Sequence, residues 1–153
     1  MKKFIILDLG GSILIADSGD ININFLRKFR KFILNLVKGG YRFAIVVGGG
    51  KTCRRYQKAA KEIAKIPHKD IDWIGVYATK LNAQLVKAFF GTKANSSILE
   101  NPYARLDAKK PVVVASGWKQ GWSTDYVSVL LAKRFGADRI IDATDVPFVF
   151  TKD

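Results

Sequence analysis

Three runs of this chain are almost wholly apolar, broken only by Asp8 in the first, and each leads into glycine, the third through Ser116. They are "FIILDLGGS" from Phe4, "RFAIVVGGGK" from Arg42 and "PVVVASGWKQG" from Pro111. A strand exposed on one face alternates apolar and polar residues. A run that is apolar throughout has to be covered on both faces. These runs therefore predict buried strands over residues 3–9, 42–47 and 111–115, with a further strand over 139–143.

The segments between them have helical periodicity. Residues 22–38 carry Phe25, Leu26, Phe29, Phe32, Ile33, Leu36 and Val37 at helical spacing, with Arg27, Lys28, Arg30 and Lys31 largely on the other face. Gly39 and Gly40 end that helix. Further helices are expected over 51–66, stopped by Pro67, over 72–90, stopped by Gly91, and over 124–135, closed by Gly136. Short strands at 97–99 and 146–151 complete the reading. Strands alternating with helices indicate an α/β fold, a mainly parallel sheet between two helical layers. No repeat, linker or boundary divides residues 1–153, so one domain is expected.

Charge adds a constraint. Twenty-six Lys and Arg against thirteen Asp and Glu give a net charge of +13. Such a surface attracts anions such as nucleotides, nucleic acid or acidic lipid. The basic residues are spread over several segments, so a solvated basic surface explains them equally well. Cys53 is the single cysteine, which excludes an intrachain disulfide and fits a reducing cytoplasm. The first apolar run is too short for a signal peptide, and nothing later approaches a membrane span.

In open parallel sheets, ligands bind at the carboxyl ends of the strands. Here those ends are "LGGS", "VGGGK" and "ASGWKQGWSTD". Glycines let a ligand touch backbone N–H groups with no Cβ in the way. The helix that follows offers unpaired N–H groups and the positive end of its dipole. Together they form an anion site, usually for phosphate. Lys51, Arg54 and Arg55 add full charges at the start of the helix. The familiar nucleotide motifs are absent: there is no G-x-x-x-x-G-K-[ST], and no G-x-G-x-x-G follows the first strand. The single histidine, His68, reads as a surface loop residue rather than a base. Cys53 stands near cations that would lower its pKa, but with no histidine partner it reads as a packing residue. No His/Cys cluster has metal-ligand spacing.

Several motifs, in order, resemble the amino acid kinase superfamily and, within it, the uridylate (UMP) kinases of archaeal type. "LDLGGS" and "VVGGGKTCRRY" resemble the two glycine loops of these kinases. "DWIGVYATKLNAQLV", residues 72–86, is similar to the helix after their nucleoside-contacting Asp. "GWSTDYVSVLLAKRFGAD" and "DATDVPFVFTKD" resemble the segments that lead into and open the ATP half. The resemblance implies the three-layer α/β/α amino acid kinase fold, lacking its C-terminal part.

It also implies transfer of the ATP γ-phosphoryl group to UMP, with Mg²⁺ accompanying ATP and no direct protein ligand to the metal. Gly11, Ser12, Gly50 and Arg54 would face the ATP phosphates. Thr144, Asp145, Phe150 and Asp153 would lie on the adenosine side. Gly49 and Asp72 would hold UMP, and the loop of Gly117, Trp118, Lys119, Gln120, Gly121, Trp122, Ser123 and Thr124 would wrap it. Lys51, Asp125 and Asp8 would act at the transferred phosphoryl, Asp8 standing where many relatives have lysine. A homo-oligomer, a dimer or a hexamer of dimers, is implied as well.

Other readings stay open for single residues. Asp72 would serve equally as a helix N-cap, and Thr124 and Asp125 as the cap and first-turn charge of the next helix. Trp73, Trp118 and Trp122 would serve equally in packing. Two further readings cover the whole chain: a nucleotide-binding or regulatory module without catalysis, and a nucleic-acid-binding protein. The second rests on charge alone and ranks last, because the glycine loops suit a mononucleotide better.

Overall fold

The computed structural model describes residues 2–16, 18–106 and 109–145. Its centre is a four-stranded, wholly parallel sheet of β1 (Phe4–Leu9), β2 (Arg42–Val47), β3 (Val112–Ala115) and β4 (Ile140–Ala143), in the order β3-β2-β1-β4. Residues 146–153, including the expected strand at 146–151 with Phe150 and Asp153, lie outside the described residues.

The continuous apolar runs are explained by helices on both faces. Leu7, Leu9, Phe43, Ile45, Val47, Val112 and Val114 point to one side. There they meet Leu26, Phe29 and Ile33 of α2 (Ile23–Lys38) and Ala83, Val86 and Phe90 of α4 (His68–Phe90). Phe4, Ile6, Ala44, Val46, Val113 and Ala115 point to the other side, against Val127 and Leu131 of α5 (Thr124–Phe135). The fold is thus a three-layer α/β/α sandwich. A short helix, α1 (Gly11–Leu14), and α3 (Gly50–Ile63) begin at the ends of β1 and β2, and α3 packs against α4 and α1. Among the described residues no helix is long and apolar enough to cross a membrane.

Several expected boundaries move. The helix expected over 51–66 spans Gly50–Ile63, because Ala64 is already extended (φ −157°, ψ 166°). Pro67 does not end that helix but caps the next one, and its carbonyl accepts from the Asp70 and Ile71 amides. His68 therefore opens α4 instead of sitting in a loop, and Asp72 is no N-cap. The segment at 97–99 makes only one isolated bridge, Leu99 with Ala115, after another at Ala94 with Val112. Between them the Asn95 side chain accepts from the Val114 N–H at 2.9 Å, filling a place that strand backbone would take. At the opposite edge β4 is not covered on both faces, and Ile140 and Ile141 are exposed. The cap of α5 is Ser123, whose hydroxyl accepts from the Tyr126 amide at 3.2 Å; Thr124 is the first helical residue and Asp125 lies in the first turn.

Candidate functional site

The carboxyl ends of β1 and β2 bring the first two glycine loops into direct contact. A Cβ on Gly11 would stand 2.2 Å from the Gly50 nitrogen, and one on Gly50 would stand 2.3 Å from the Gly11 carbonyl carbon. Gly50 also has φ +57°, a conformation that favours glycine. Here the glycines are required by backbone packing itself, as well as by any ligand. The Ser12 hydroxyl donates to Asp145 Oδ1 at 2.6 Å, tying the first loop to the segment after β4. That bond, helped by nearby Arg54 and Lys51, holds the Asp145 carboxyl below the usual carboxylate range.

A cleft of about 390 Å³ opens between α3, α4 and the loop that enters α5. Gly49, Asp72, Gly117, Lys119, Gln120, Gly121, Trp122, Ser123 and Thr124 line it, all residues expected around UMP. Gly50 and Arg54, expected toward the ATP phosphates, line the same cleft beside Gly49. Asp72 reaches across the cleft and accepts a hydrogen bond from the Gly121 amide at 3.1 Å. The volume falls within the range of small-molecule sites. Backbone amides, Arg54 and Lys119 suit an anionic ligand, and Asp72 supplies a hydrogen-bond acceptor for hydroxyl groups.

Gln57, Gly75, Val76 and Thr79 also line the cleft, and the sequence reading does not anticipate them. For Gly75 and Thr79 the signal lies in "DWIGVYATKLN": residues 72, 75, 79 and 82 are small or polar at helical spacing. Cys53 is a wall residue too. Burial pushes its thiol up, and Arg54 offsets this only in part, so the expectation of a lowered pKa is corrected. Charge on a neighbour is weaker here than loss of water.

The aromatic residues separate. Tyr103, Trp118, Trp122 and Tyr126 form a chain of edge-to-face contacts with centroids 5.5, 4.8 and 4.5 Å apart. Within it Trp122 lines the cleft, while Trp118 packs on the core beneath α5 and is not part of the wall. The Lys119 ammonium lies 4.2 Å from the Trp118 ring centroid and 4.7 Å from that of Trp122. Trp73 lines a separate apolar groove with Tyr56, Tyr77 and Leu81.

Lys51, Asp125 and Asp8 do not line the cleft. Asp8 is 4 % exposed, and the Ser128 hydroxyl donates to its Oδ2 at 2.8 Å. Burial pushes the Asp8 carboxyl up to about 7; the Ser128 bond works against this, while Asp125 and Asp142 add repulsion. Asp142 is the register partner of Asp8 across β1 and β4, and its own carboxyl is raised by burial and by Asp125. Asp8 thus faces α5 and carboxylates, with Ser128 as its hydrogen-bonding partner.

The chain is similar to the uridylate kinase of Thermococcus onnurineus, with 35% identity over 153 residues, covering 97% of this chain and 65% of that protein. It therefore spans just under two thirds of that relative's length. The crystal structure of uridylate kinase from Archaeoglobus fulgidus superposes with a TM-score of 0.78 at 34% identity, covering 95% of this chain and 64% of that one. UMP kinase from Bacillus anthracis gives 0.76 at 28% identity, over 99% of this chain and 68% of that one. The amino acid kinase family model matches residues 3–153. With its parallel sheet, paired glycine loops and cleft, this chain belongs to the amino acid kinase family.

Proposed function

We propose that the cleft is the acceptor site for UMP, and that the whole protein transfers the γ-phosphoryl group of ATP to it, giving UDP. The observation that carries this reading is the convergence of Gly49, Gly50, Arg54, Asp72, Gly117 and the stretch from Lys119 to Thr124 on one cleft. Gly49, Gly50 and Arg54 take the UMP phosphate, with Arg54 and Lys51 close to the phosphoryl group that moves. Asp72 takes the ribose hydroxyls, and the loop with Trp122 covers the base. Gly11, Ser12, Thr144 and Asp145 border the ATP side, and residues 1–153 hold the acceptor half with the start of the donor half.

The chemistry asks little of acid–base groups. A phosphate oxygen of UMP is already anionic near neutral pH, so no side chain has to remove a proton. The work is to hold two polyanions together and to stabilise charge spreading over the moving phosphoryl oxygens. Backbone N–H groups and the two cations do this. Losing one charged contact costs about 3 kcal/mol, about a hundredfold in rate.

Among the described residues no three carboxylate, thiolate or imidazole groups converge as a metal site. Asp125 and Asp142 nevertheless stand close enough to Asp8 to raise its pKa, and such a surplus of negative charge suits a cation carried in by phosphates. Mg²⁺ bound to ATP would neutralise phosphate charge there, with Asp125 orienting its water shell.

The test is UDP formation from UMP with ATP and Mg²⁺, in the natural full-length protein. Arg54→Ala should lower the rate about a hundredfold. Failure to form UDP, together with failure to bind UMP, contradicts the reading.

A further inference from the structure

We propose that Asn82 and Thr79 are positioning residues, through which helix α4 sets the distance between the anion-binding end of the cleft and its nucleoside-binding end. This rests on the UMP reading above, in which the two loops hold the two ends of one ligand.

Asn82 is 4 % exposed, and its amide donates to two successive carbonyls, Gly48 O at 2.9 Å and Gly49 O at 3.1 Å. Both hydrogens of the Nδ2 group are thereby used within the loop that leads into α3. Peptide C=O and N–H vectors point in opposite directions, so drawing these carbonyls toward α4 fixes the orientation of the N–H groups that follow them. Those are the N–H groups of Gly49 and Gly50, which have no intrahelical acceptor at this helix N-terminus. The Gly49 carbonyl also accepts from the Cys53 amide at 3.3 Å, so Asn82 is the side-chain partner of the Gly49–Gly50 peptide and the Gly48 carbonyl. The Gly48 amide is already bonded to Leu9 O at 2.9 Å, so this loop is held from both sides.

One turn earlier, Thr79 grips the other loop. Its hydroxyl accepts from the Gly117 amide at 2.8 Å and donates to Val76 O at 2.6 Å. Donating back to its own helix orients the Oγ1 lone pairs toward Gly117. The approach is close enough that a Cβ on Gly117 would stand 2.8 Å from Thr79 Oγ1. Two loops from different strands are thus bonded to side chains three residues apart on one rigid helix. Neither side chain is charged, and Asn82 is not part of the cleft wall. The effect of Asn82 on a ligand runs through the loop it holds; Thr79, itself a wall residue, acts through its grip on Gly117 as well as at the wall.

Each residue is expected to control a different end of the ligand, which separates positioning from general stability. The experiment titrates UMP, uridine and inorganic pyrophosphate into the full chain, followed by backbone amide resonances. Asn82→Ala should weaken UMP and pyrophosphate about tenfold and leave uridine within about twofold. Thr79→Val should weaken UMP and uridine about fivefold and leave pyrophosphate within about twofold. Thr79→Ser, which keeps the hydroxyl, and Asn82→Ser, which supplies one hydroxyl donor in place of the amide, should recover part of each loss. They carry the same comparison if a larger change prevents folding.

Either variant weakening all three ligands alike, or none, overturns the proposal. Wild-type protein that binds pyrophosphate but neither uridine nor UMP overturns the UMP reading instead, and Asn82 is then judged on pyrophosphate alone. Wild-type protein that binds none of the three overturns both.

Discussion

Asp72, in α4, accepts a hydrogen bond at 3.1 Å from the amide of Gly121, in the loop before α5. Both residues line the cleft, and the carboxylate keeps acceptor capacity for a ligand hydroxyl. Asp72→Asn keeps the shape and one acceptor oxygen but removes the charge. Charged hydrogen bonds exceed neutral ones by about 1 kcal/mol, so UMP affinity should fall about five- to tenfold. Calorimetric titration measures this, and unchanged affinity would remove Asp72 from the site.

Asp8 makes stability depend on pH. Its carboxyl titrates at about 7 in the fold against an ordinary value of 3.8. Between these values the unfolded chain has lost the proton while the native protein keeps it. Stability therefore falls as pH rises from about 4 to about 7, and the full penalty of about 4 kcal/mol applies above that. Asp8→Asn removes the penalty and can still bond Ser128. The variant should be more stable than wild type in urea above pH 7, with the advantage vanishing toward about pH 4, where both states of the wild-type carboxyl are protonated. An advantage that grows as pH falls contradicts this assignment.

The contact between the first two glycine loops predicts a sharp difference among glycines. Gly11→Ala places a methyl 2.2 Å from the Gly50 nitrogen and should cost about 3 kcal/mol or more. Gly40 has φ +84° but nothing within 4 Å, so Gly40→Ala should cost only about 1–2 kcal/mol of backbone strain. Urea unfolding compares the two. Equal costs would mean that the loops do not pack as described.

Ser12→Ala removes the main cause of the lowered Asp145 pKa. The Asp145 carboxyl should then titrate higher, followed by carbon-detected NMR. A titration that does not move would show that Lys51 and Arg54, rather than Ser12, hold it down.

Much of this is legible in the chain. The central strands read clearly because burial on both faces leaves no polar alternation, and Gly136 after Phe135 marks the end of α5. Pro67 is ambiguous in sequence because proline both stops one helix and starts another. Only the acceptance of the Asp70 and Ile71 amides by Pro67 O assigns it to α4. The segment at 97–99 looks like a strand because Ile98 and Leu99 are apolar, but only Leu99 makes backbone bonds to the β3 edge, and the Asn95 side chain takes the place before it. The cleft loops announce themselves through glycine. Thr79 and Asn82 show only as polar positions at helical spacing, and such a residue inside a long helix gains meaning once its partner across the fold is known. Cys53 misleads because sequence displays neighbouring charge and conceals burial.

The most direct measurement is calorimetric titration of UMP into the protein at moderate salt without ATP, with CMP and a short single-stranded oligonucleotide alongside. A UMP acceptor site predicts saturable UMP binding that Asp72→Asn weakens, with the oligonucleotide bound more weakly. No UMP binding, with tight oligonucleotide binding that falls steeply as salt rises, would contradict it and leave a basic nucleic-acid surface on an amino acid kinase fold.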